Sequence, residues 1–266
     1  MTETKTVAQT EAAPMPAIGP VTLSDIPDIL ALGVRDFLRA PVLGLAFGAF
    51  YTVGGLILLW QFEAMDQSYL VIPVAFGFPL LGPFIATGLY EMSRRLEYGI
   101  PFRPREVLGV IFRQKDRQIP SMAVVVIMIF LFWVFLAHMI FALFLGLMPM
   151  TNILSDWQAT IFTPEGIKML GFGTLVGAGF AFVLFALTVV SLPLLLDKEI
   201  DFISAMIVSF QLVMVNTVPM LVWGLVIAVL LFLAMLPVFL GLIVVLPVLG
   251  HASWHLYRRA LIHPDA

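Results

Sequence analysis

Apolar stretches of roughly 20 residues, the length that crosses a bilayer as a helix, alternate along this chain with shorter stretches of mixed character. Six apolar stretches stand out, over about 41–62, 69–90, 120–147, 168–196, 219–236 and 237–257. In the mixed stretches apolar residues recur at helical spacing. Over 24–40, Ile26, Ile29, Leu30, Val34, Phe37 and Leu38 share one face, and Asp25, Asp28, Arg35, Asp36 and Arg39 take the other. That pattern predicts a helix lying in the membrane interface. From Arg105 to Gln118 the pattern returns, with Val107, Leu108, Ile111 and Phe112 facing one way. From Phe202 to Val215 it is weaker, with Phe202, Ile203, Met206, Phe210 and Val213 on one face.

A proline opens the span after each mixed helix: Pro41, Pro120 and Pro219, roughly 80 to 100 residues apart. Proline suits a first helical turn, where its missing N–H costs nothing. The chain thus repeats one unit three times: interfacial helix, proline, span, turn and returning span. The expected fold is an all-α polytopic transmembrane bundle of about six spans in three hairpins. It forms one domain over 24–262, between a disordered tail (1–23) and a short tail (263–266). The tip near Met235 to Phe239 is wholly apolar, so the last hairpin is either two spans or one re-entrant element.

Composition supports the bilayer. The chain is 61% hydrophobic and 12% charged, too little charge to coat a soluble domain. It has no cysteine, which excludes disulfides, thiolate metal sites and Cys nucleophiles. Lys and Arg total 14. With six spans, all of them except Lys168 fall on one side, and half lie between Glu91 and Pro120. By the positive-inside bias, both termini are expected in the cytoplasm. So few basic residues, confined to one side, argue against a nucleic-acid partner.

Candidate chemistry is sparse. His251 and His255 lie four apart and share a helix face. Such a pair can ligate a metal or sit at the interface hydrogen-bonding headgroups. The general-base Glu of an HExxH helix is missing. His138, Gln211 and Asn216 are polar intruders that could line a cavity. The second stretch carries Pro73, Pro79 and Pro83, and a broken helix of that kind builds midplane sites in transporters. Glu91 is placed to pair with Arg94 or Arg95 at three or four residues. That trio, with Arg258 and Arg259, is a candidate dock for anionic lipid headgroups or a partner subunit. No catalytic constellation is evident.

The pairing of GLYEMSRRLEYG (88–99) with GHASWHLYR (250–258) around six oily spans resembles a family of bacterial integral membrane proteins without an assigned activity. The resemblance covers roughly 25–262 and implies a bacterial inner-membrane location. Some members carry labels linking them to cytochrome oxidase. With only four histidines, the ligand fan of an oxidase core is absent here. The expected function is a scaffold or accessory subunit of a membrane complex. The alternatives are a small-molecule or lipid transporter, and a His-ligated metal or haem protein. No cofactor is expected under the leading reading.

Overall fold

The computed structural model describes residues 15–64, 85–101, 103–114, 117–146 and 162–262. Ten helices account for nearly all of them. They are α1 (Asp25–Arg39), α2 (Pro41–Ala64), α3 (85–97), α4 (Pro104–Gln114), α5 (Ile119–Leu145), α6 (Pro164–Thr188), α7 (Ser191–Asp197), α8 (Phe202–Val215), α9 (Thr217–Met235) and α10 (Leu242–Ala260). The only strands among the described residues are β1 (Ala17–Ile18) and β2 (Leu261–Ile262), paired antiparallel.

Pro41 sits at a sharp elbow: α1 and α2 are bent by 104° across Ala40. Asp201 caps α8, its side chain accepting from the Ser204 amide, and Thr163 caps α6 in the same way from Gly166. Such caps satisfy donors that a helix start leaves open. Among the described residues three helical stretches are long and apolar enough to cross a membrane. They are Ile119–Leu145, Pro164–Asp197 (α6 with α7) and Thr217–Met235, and α1 with α2 makes a fourth if the bent pair is one broken span. The expected span over 69–90 lies largely outside the described residues, with its three prolines.

The last expected span, over 237–257, is corrected. Residues 236–241 form a turn, and α10 begins only at Leu242. Val238 and Phe239 sit at positive φ, a strained setting for bulky side chains. The turn is held by the Gly241 amide donating to the Ala234 carbonyl (3.1 Å) and by the Thr52 hydroxyl donating to the Phe239 carbonyl (3.1 Å). The last hairpin is therefore two helices. α10 is not apolar enough to count as a span, because its second half carries the polar residues of the core.

α10 is the hub. It packs extensively against α1 and α2, as α5 does against α6. Close approach depends on glycine. A Cβ on Gly33 would lie 2.7 Å from the Ala252 Cβ and the Val248 carbonyl oxygen. One on Gly48 would overlap the Ile243 backbone.

Two expected faces are rotated. On α1 the buried side is Ile26, Ile29, Gly33, Asp36 and Phe37, while Val34 and Leu38 point outward. On α8 the buried side is Ala205, Met206, Val208, Ser209, Leu212 and Val213, while Ile203 and Phe210 are exposed. The expected tail over 1–23 is also structured where it is described. Val21 is buried, its amide donates to Asn216 Oδ1 (2.8 Å), and the Gly19 amide donates to the Ala260 carbonyl (2.8 Å).

Gly33→Ala is expected to cost about 1–3 kcal/mol through overpacking. Gly171→Ala, where an added Cβ meets no described residue within 4 Å, is expected to leave stability unchanged or raise it slightly. Thermal-unfolding midpoints of the two variants in one detergent check the contrast.

Candidate functional site

The closeness that Gly33 permits brings a carboxylate into the core. One turn beyond the Gly33–Ala252 contact on each helix, Asp36 meets His255. The His255 ring donates from Nε2 to Asp36 Oδ2 at 2.6 Å, and Asp36 is 1% exposed. One turn back on α10, His251 Nδ1 lies 2.8 Å from Ser93 Oγ of α3. Both residues are fully buried. Gly250 allows this approach, since Leu89 of α3 occupies the space a Cβ would need.

The cluster continues outward along α10. Trp254 Nε1 and Arg258 Nε both donate to the Glu97 carboxylate, at 2.8 and 2.9 Å. The Tyr257 hydroxyl donates to Asp197 Oδ2 of α7 (2.8 Å). Arg259 Nε donates to Asp25 Oδ1 of α1 (3.0 Å). The end of α10 therefore ties α1, α3 and α7 together through hydrogen bonds. Buried polar groups are tolerable only when partnered in this way.

Two atoms are left out. His251 Nε2 and Asp36 Oδ1 are buried without a hydrogen bond among the described residues, although Arg35 Nη2 lies 3.5 Å from that Asp36 oxygen.

Serine, histidine and aspartate meet here, but not as a catalytic triad. A triad needs one imidazole between the nucleophile and the carboxylate. Here Ser93 faces His251, whereas Asp36 faces His255. Both histidines already have a ring nitrogen engaged, and no group of three or more His, Asp or Glu among the described residues is arranged to hold a metal ion. His251 and His255 are buried in the core.

The remaining sequence candidates scatter. Asn216 is a structural clamp: it accepts from Val21 and donates to the Gly19 carbonyl (3.2 Å). Gln211 is exposed on α8. His138 is exposed on α5, its Nδ1 within 2.8 Å of the Val134 carbonyl in its own helix. These three do not share a cavity. Glu91 does pair with both arginines, with Arg94 Nε at 2.8 Å and Arg95 Nε at 2.6 Å. Arg258 and Arg259 are matched by acids as well, so all five candidate docking residues already neutralise one another or a neighbour.

Apolar helices of spanning length around this core mark a membrane protein. Residues 71–197 match the model of a family described as predicted integral membrane protein (DUF2189). The chain is an integral membrane protein, and the motif over 88–99 lies inside the matched stretch. The motif over 250–258 lies beyond it, yet the two interlock through Ser93–His251 and Glu97–Trp254. No curated protein and no solved structure matches the chain.

Asp36, Ser93, Glu97 and Asp197 did not stand out in the sequence. Asp36 has the helical phase of a solvent face, and only the neighbouring Gly33 hints at contact.

Asp36→Ala and His255→Ala are each expected to destabilise the fold by about 3–5 kcal/mol, since removing one member strands the other in the core. The double variant is expected to lose less than the sum. A double-mutant cycle on detergent-solubilised protein measures this coupling.

Proposed function

We propose that this protein is an accessory or scaffold subunit of a membrane complex. It holds a partner sideways through α5 and α6, in a bacterial inner membrane with its described ends on the cytoplasmic side. The observation that carries the reading is the state of the α5–α6 hairpin. Only 17% of the most apolar window of α5 is buried within the chain. Its main packing partner is α6. Between them runs an apolar groove lined by Val125, Met128, Phe132, Val176, Phe180 and Val183.

The glycines of α6 sharpen this. Gly177 faces α5, where an added Cβ would lie 3.0 Å from the Trp133 ring. Gly171 and Gly179 face no described residue, with no such atom within 4 Å of an added Cβ. Glycine weakens a helix by about 1 kcal/mol relative to alanine, so glycines with no internal neighbour suit the close approach of another helix. The polar core is inward-turned and structural, which fits a subunit that positions other proteins better than one that carries out chemistry. The β1–β2 pairing, which sets residues 17–18 beside 261–262, supports placing both ends on one side.

The absence of cysteine makes an engineered one unique. Met128→Cys and Gly179→Cys are expected to crosslink to another membrane protein in native membranes. Leu225→Cys, exposed on α9, is expected not to do so. Native-gel migration of the chain alone, with no crosslink from either groove position, would overturn the proposal.

A further inference from the structure

We infer that the elbow between α1 and α2 binds one anionic phospholipid, with its phosphate on Arg39. The site is a groove of about 610 Å³ walled by Arg39, Val42 and Leu43 on the α1–α2 side. Arg95, Ile100 and Pro101 close it from the end of α3 and the loop beyond. It is a different surface from the α5–α6 groove, and no part of the argument depends on a protein partner.

Charge and apolarity are both arranged for a lipid. Arg39 is exposed and forms no ion pair among the described residues, unlike Arg94, Arg95, Arg258 and Arg259. Arg95 engages Glu91 through Nε and Glu106 through Nη1 (2.5 Å), which leaves Nη2 toward further acceptors. Glu106 is tied up by Arg95. The Arg103 amide and Arg95 hold its carboxyl below the usual carboxylate range. Arg103 and Arg105 flank Pro104 at the rim, both exposed. The local balance is therefore positive.

Beneath this cationic end the walls are aliphatic. Val42, Leu43, Leu96 and Ile100 line the groove, and Val42 is 77% exposed. At Ala40 the chain turns by 104° from an amphipathic helix into an apolar one. Such a turn occurs where headgroup meets hydrocarbon. A free phosphate would use the arginine alone. A phospholipid would use the arginine and cover the exposed Val42 and Ile100 as well, so the aliphatic walls favour the lipid.

The test is native mass spectrometry of the full chain in detergent, exposed to an equal mixture of phosphatidylglycerol and phosphatidylcholine. One phosphatidylglycerol is expected to be retained in preference. Arg39→Ala is expected to lower that retention about fivefold, the equivalent of one basic contact with an anionic surface. Arg39→Lys should keep most of it. Arg113→Ala, an exposed arginine outside the groove, should bind as the unmodified chain does. Thermal midpoints confirm that each variant is folded. Equal retention of the two lipids, or undiminished phosphatidylglycerol binding by Arg39→Ala, would overturn the proposal. Displacement of the lipid by millimolar inorganic phosphate would overturn the lipid as the source and assign Arg39 to a free anion.

Discussion

The pairing of Asp36 with His255 constrains everything around it. A carboxylate is costly to place among apolar side chains unless a donor meets it at hydrogen-bond distance. Here the donor comes from a helix 219 residues away in sequence. The pair therefore fixes the rotation of α1, the depth of α10 and the spacing between them. Gly33 must be small for the distance to close. Ser93 and His251 then fall into register on the other side of α10, and Glu97, Asp197 and Asp25 complete the set at its end. Such a network gives direction to a bundle whose apolar contacts are otherwise interchangeable.

Much of the fold was legible because helical segments in lipid are signalled by length, by prolines and by polar breaks. The helix expected from Phe202 to Val215 has those bounds, and the prolines at 41 and 120 open their helices as expected. Facing was legible only in part. In water an apolar stripe points inward. In a bilayer lipid accepts apolar side chains as readily as the core does, so the stripe loses that meaning. Val34, Leu38, Ile203 and Phe210 turn outward for this reason, while Gly33, Asp36 and Ser209 turn in.

The same logic divides the site. Local pairs follow from spacing, so Glu91 with Arg94 and Arg95 could be foreseen, as could the common face of His251 and His255. Which groups meet that face could not, because no local rule links α10 to residues near the start of the chain. The short strand pair and the Asn216 clamp were hidden likewise. Two residues of backbone pairing leave no periodic mark, and a lone asparagine between two helices resembles a cap.

The β1–β2 pairing and the Asn216 clamp also impose an order of events. Residues 17–22 and α1 leave the ribosome well before the surfaces that receive them, which belong to α8, α9, α10 and β2. α1 must therefore wait at the membrane surface with Asp36 still hydrated while the intervening helices are inserted. Final closure is a late, long-range docking step, slow for the reason that non-local contacts generally are. Truncation near the C-terminus would leave the first helix without its seat, so damage at one end of the chain would become visible at the other.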